Sequence, residues 1–149
     1  MISQLKWRCA KPAAIAAFLA AAALGAQPGQ AQQRESVKPV FNRALPNVPG
    51  KSLIAVVVTY PPGGESAAHR HAASAFIYAH VLTGAIHSRV GDEPARTYRA
   101  GESFFEDPGA HHRVSKNASD SEPASLLAVF IVDSHDKPLT VPDPDGASP

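Results

Sequence analysis

Residues 63–84, GGESAAHRHAASAFIYAHVLTG, decide how the rest of the chain is read. The second half, FIYAHVL (76–82), is β-branched and aromatic, the composition of a strand. On an extended segment, residues two apart share a face and lie ~6.6 Å apart along the axis. The imidazoles of His69 and His71 can therefore converge on one point, while Arg70 points the other way. A first-row metal bonds imidazole nitrogen at about 2 Å, within reach of both rings. Taken alone, a His-x-His pair describes two histidines on a solvated strand edge just as well.

Outward from this stretch the strand pattern continues. SLIAVVVTY (52–60) has the length and branching of a buried strand, and PPGGE turns the chain after it. AIHSRV (85–90) follows residues 76–82 across Thr83-Gly84, which predicts a tight hairpin. RTY, SFFE, HHRVS and SLLAVFIV (125–132) come next, separated by turn-forming segments rich in Gly, Pro, Asp and Asn. Short strands broken roughly every 8–12 residues, with no helical period after the first 31 residues, predict an all-β barrel or sandwich.

The ends read differently. Residues 1–31 begin with Lys6, Arg8 and Lys11 and no acid, continue in PAAIAAFLAAAALGA, and finish with the small residues Gly29 and Ala31. That is the pattern of a secretory signal, with cleavage after Ala31 or Ala26, and its apolar run is short for a membrane span. The expected destination is the periplasm or the medium, with no stable span after cleavage. Losing these residues lowers Lys and Arg from 14 to 11 against 13 acids, a net charge of −2. No basic footprint for nucleic acid or anionic lipid remains. The only cysteine, Cys9, leaves with the signal, so no disulfide supports the mature chain. Residues 32–50, with three prolines, are expected to form an arm over the domain or a neighbour; 51–132 the barrel; and 133–149, with four prolines, a tail without a core. A core of roughly 80 residues is small, and homodimerisation through the first strand or the arm would help it.

A second histidine cluster lies in GESFFEDPGAHHRVSKN. Adjacent His111 and His112 must face opposite ways on a strand. His112 alternates with Val114, which places it inward, and His111 with Arg113 and Ser115, which places it near solvent. His87 shares a face with Arg89 and is expected at the surface, and His135 falls in the tail without a role. His80 alternates with Phe76, Tyr78 and Leu82; if the smaller residues face inward it packs outside the site, and a bulge would reverse that.

The two clusters resemble the two signature motifs of the cupin superfamily, small β-barrels that hold a metal inside. Gly63, His69, His71 and Gly84 match the first motif, and Gly101, Gly109 and His112 match the second. Asp107 stands where a Pro is expected, although Pro108 follows, and Asn117 arrives one residue late. The resemblance implies an all-β, cupin-type double-stranded β-helix (jelly-roll) barrel and a metal site at His69, His71 and His112. One departure matters most: Ile77 stands where the family's metal-binding Glu belongs. Glu65, Glu102 and Glu106 lie nearby, and none is at the matching position.

Three neutral imidazoles leave a divalent metal's charge uncompensated and suit Fe, Mn, Ni, Cu or Zn without choosing among them. The resemblance suggests a metal-dependent, dioxygenase-like enzyme on a small organic substrate. The alternative is a barrel that binds or senses a metal or small ligand without turnover. No catalytic residue is assigned: Tyr78, His80, Glu106 and His111 are candidate acids or bases, each with an alternative as a wall or rim residue. A cupin barrel with no metal at all is the remaining possibility.

Overall fold

The structure, a computed structural model, describes residues 35–144. The signal sequence expected at 1–31, the next three residues and the last five of the tail lie outside the described residues. In chain order the strands are β1 (Ser36–Ala44), β2 (Lys51–Tyr60), β3 (Glu65–Ser66), β4 (His69–His71), β5 (Phe76–Thr83), β6 (Ala85–Val90), β7 (Arg96–Arg99), β8 (Ser103–Glu106), β9 (His111–Asn117), β10 (Ala124–Asp133) and β11 (Thr140–Pro142). No helix occurs among the described residues.

Two antiparallel sheets result. One runs β1-β2-β10-β5-β8; the other runs β11-β4-β9-β6-β7, with β3 beside β9. Alternation along β5 shows why they pack: Ile77, Ala79 and Val81 are buried, while Phe76, Tyr78 and Leu82 face out. The small residues are thus on the inner face, where Ala75, Ala79 and Ala128 leave room between the sheets. On β2 the inward series is Ile54, Val56, Val58 and Tyr60.

Four local expectations change. Thr83-Gly84 is not a hairpin: β5 pairs with β10 and β8, whereas β6 pairs with β7 and β9. The turn instead carries the chain from one sheet to the other. Gly84 allows it with φ +69°, and a Cβ there would meet Pro123 O at 2.8 Å and Ala124 Cβ at 2.9 Å. Both neighbours are held in the backbone or on a strand, so neither can yield cheaply. Gly84→Ala is expected to cost about 2 kcal/mol or more, read as a lowered urea midpoint with an unchanged slope; a midpoint equal to wild type would contradict this packing.

The arm is a strand, since β1 pairs with β2 from Ser36↔Thr59 to Ala44↔Ser52, with an irregularity between Pro39 and Phe41. The tail also folds back: β11 pairs with β4, and Leu139 packs on the core. In both segments the pairing is made by backbone groups, which prolines interrupt without abolishing at an edge. Finally, β9 carries an extra residue. Arg89 opposes Val114 but Val90 opposes His112, leaving Arg113 over. The inward partners of His112 are therefore Ser115 and Asn117, not Val114, and Asn117 falls one place late in the motif for the same reason.

Candidate metal centre

His69 and His71 project from β4, a strand of three residues held between β11 and β9. His69 lies directly opposite His112 of β9, so the two side chains share a face and the ring centroids are 5.1 Å apart. His71 joins them at 4.7 Å from His69 and 6.2 Å from His112. One ring nitrogen from each lies within 4.8 Å of the other two.

Each ring is anchored through its outer nitrogen. His69 Nδ1–H donates to Ala67 O at 2.7 Å, and His71 Nδ1–H donates to Leu139 O at 3.2 Å. A carbonyl oxygen only accepts, so these bonds fix the tautomer and leave Nε2 of both rings without a proton. His112 Nε2 contacts Ser88 Oγ at 2.9 Å, turning Nδ1 inward.

A fourth donor comes from the opposite sheet. Glu106, at the end of β8 and paired with Ile77, has 3 % side-chain exposure. Its Oε2 lies 3.3 Å from His71 Nε2 and its Oε1 lies 3.2 Å from His112 Nδ1. The carboxylate absent at Ile77 thus arrives from the neighbouring strand, on the residue paired with it. None of the three nearby carboxylates sits at the matching position in the sequence; Glu65 and Glu102 are exposed, and Glu106 reaches the histidines through space.

These groups fit a metal. His69 Nε2 and His71 Nε2 are 3.2 Å apart, two lone pairs facing each other, and the buried Oε2 of Glu106 has no hydrogen-bond partner. Orphaned buried acceptors are costly, and a shared cation satisfies all of them at once. An ion about 2.1 Å from each donor needs neighbouring donors roughly 3.0–3.4 Å apart, the spacing of the His69–His71, His71–Glu106 and His112–Glu106 contacts. Hydrogen bonds to the outer nitrogens are the support that metal-bound imidazoles take from a protein.

Electrostatics agree. Burial pushes His69 down to about 4, helped by His112 and His71 and opposed by the Ala67 carbonyl and Glu106, so it stays a neutral ligand at neutral pH. Burial alone would raise the Glu106 carboxyl; hydrogen bonds and charge from His112 and His71, present in the metal-free protein only when the facing nitrogens carry protons, outweigh it and hold the group well below the usual carboxylate range.

The centre opens on a cavity of about 390 Å3 between the sheets, walled by apolar residues such as Val56, Ile77, Leu126 and Phe130. At its edge, Tyr60 bonds Ser66 and Ser115, each at 2.8 Å, and Ser66 donates to Glu35. Burial pushes the Tyr60 phenol up to about 12, against the pull of the Ser115 and Ser66 bonds. The sequence reading missed Tyr60 and Glu35. The Ile54-Val56-Val58-Tyr60 alternation points to Tyr60, whereas nothing local points to Glu35.

Of the other candidate acids and bases, none enters the cavity. Tyr78 and His80 stack on the outer face and both contact Ser103 Oγ at 2.8 Å. His111 faces away and contacts Asp143 at 2.7 Å. His87 contacts Thr97 at the edge of β6, and His135 is exposed.

The family model described as "Cupin domain" matches residues 56–130, half of the chain. The chain belongs to the cupin superfamily. Among solved structures, this cupin is similar to TT1209 from Thermus thermophilus, at 27% identity and TM-score 0.53, over 66% of this chain and 84% of the other. DMSP lyase DddQ from Ruegeria pomeroyi shares 23% identity at TM-score 0.59, over 76% and 54%. A recombinant oxalate oxidase in complex with glycolate shares 21% at TM-score 0.57, over 76% and 57%. No curated protein sequence matches this cupin.

Proposed function

We propose that this cupin holds a divalent transition metal (iron, manganese, nickel, copper or zinc) on His69, His71, His112 and Glu106, and is an enzyme acting on a small organic molecule in the adjoining cavity. The reading rests on three inward ring nitrogens and the two oxygens of Glu106, which meet at 3.2–3.3 Å in the contacts His69–His71, His71–Glu106 and His112–Glu106, with Glu106 Oε2 orphaned. A metal there supplies Lewis-acid polarisation of a coordinated oxygen and, if redox-active, one-electron chemistry with O₂. The chain's own contribution is to hold three imidazoles neutral and oriented, to offset one unit of charge through Glu106, and to surround the substrate with apolar walls. The likeness to an oxalate oxidase and a DMSP lyase supports a fold suited to small-molecule enzymes. Two observations favour a barrel that binds without turnover: Tyr60 stays protonated, and ligation would use the carboxylate of Glu106.

The same reading has the chain exported after loss of residues 1–31 and paired as a homodimer. Pairing is supported by the outer face of the first sheet, where Phe76, Tyr78, Leu82, Phe105 and Ile131 are exposed and the Phe76 and Phe105 rings stack at 6.0 Å. Native mass spectrometry of protein secreted from the full-length chain tests all three statements. The expected species is a dimer of residues 32–149 with one metal ion per chain, and the His69/His71/His112→Ala triple variant lacks the metal. An uncleaved chain, a monomer at micromolar concentration, or a metal-free protein after reconstitution would each overturn the corresponding statement.

A further inference from the structure

The charges around the cavity are one-sided. Glu35 and Glu106 line it, and among the described residues no Lys or Arg does. With a dication on three neutral imidazoles and Glu106, the metal end carries one net positive charge, enough for a single anionic or polar head. Glu35 also lines the cavity, where it takes the Ser66 hydrogen bond.

The hydrogen bonds there also have a direction. Ser66 gives its proton to the Glu35 carboxylate, so the Tyr60 hydroxyl must donate to Ser66 Oγ, and Ser115 must donate to Tyr60. Every proton in the row Ser115–Tyr60–Ser66–Glu35 is spent toward the carboxylate. What Ser115 Oγ presents to the cavity is a lone pair. A hydroxyl donor is welcome there; a second carboxylate or phosphate meets an acceptor, a nearby negative charge and no cation.

We infer that the cavity selects small, mostly apolar hydroxy compounds, bound to the metal by one oxygen head and to the Ser115 end by a donated O–H, and that it rejects molecules whose far end is anionic. The inference rests on the metal reading above. A cavity of about 390 Å3 suits this class, with room for about a dozen water-sized groups at ~30 Å3 each.

Two probes share the benzoate head and ring and differ only in the para group: 4-hydroxybenzoate and terephthalate. Their affinities for the metal-reconstituted protein are measured by calorimetry, with metal content determined on the same sample. 4-Hydroxybenzoate is expected to bind at least tenfold more tightly, and Glu35→Lys to erase or reverse that ratio. Equal or tighter binding of terephthalate to wild type, failure of both probes to bind, or an unchanged ratio in Glu35→Lys overturns the selection while leaving the metal centre standing. A protein without metal overturns the centre itself and this inference with it.

Discussion

Replacing Glu106 with Gln is expected to weaken metal binding by about 100-fold while the barrel stays folded. The magnitude follows from comparison: removing groups that merely orient metal ligands costs roughly 10–100-fold, and Glu106 is placed as a ligand itself. The amide keeps the shape and loses the charge that offsets the dication. It also turns an N–H₂ or a weaker oxygen toward His71 Nε2 and His112 Nδ1, now 3.3 and 3.2 Å from the carboxylate. Competition with a chelator of known affinity reads the change, and circular dichroism confirms the fold. Wild-type affinity in Glu106→Gln would remove Glu106 from the coordination sphere and return the site to three histidines.

The second large effect is on stability in acid. In the metal-free protein His69 titrates near 4, against 6.5 in the unfolded chain. Between those values the unfolded state binds a proton that the folded state refuses, so unfolding gains ground as the pH falls. The contribution is fully present above 6.5 and lost by about 4. Two and a half pH units at about 1.4 kcal/mol each make it on the order of 3 kcal/mol. Glu106 adds to the loss lower down: its carboxyl is held below the usual range, so its stabilisation is present above the ordinary carboxylate pKa and disappears as the pH falls through its folded value. Urea midpoints of the chelator-treated protein from pH 7.5 to 4 should fall steadily, and His69→Leu should flatten the upper part of that curve. A flat wild-type profile would mean that His69 is not buried as a neutral ring.

Much of this was legible in the chain because side-chain alternation records burial directly. Residues 76–82 and 85–90 announced β5 and β6, and the spacing of His69 and His71 put two rings on one face. The position of His80 on the outer face also followed from its larger neighbours. Glu106 did not follow, because it meets the histidines across the gap between two sheets, a relation set by how the sheets stack rather than by spacing along either strand. The sheet crossing at Gly84 resembled a hairpin because both need a residue at positive φ. β1 and β11 escaped notice because they are joined through backbone groups, which leave no periodic trace, and the bulge at Arg113 shifted the apparent inward partner of His112 from Ser115 to Val114.

The pairing of β11 with β4 also sets a timetable. The carbonyl that holds His71 belongs to Leu139, 68 residues further along, and Thr140 lies opposite His71 in the strand ladder. A chain delivered N-terminus first presents His69 with its Ala67 support already in place, but His71 long before Leu139 exists. The ring of His71 is free to turn until residues 139–142 arrive and lie down beside it. On the proposed metal reading, full-strength capture waits for that segment, and a chain interrupted after the second motif carries His69, His71, His112 and Glu106 with the Leu139 support of His71 missing.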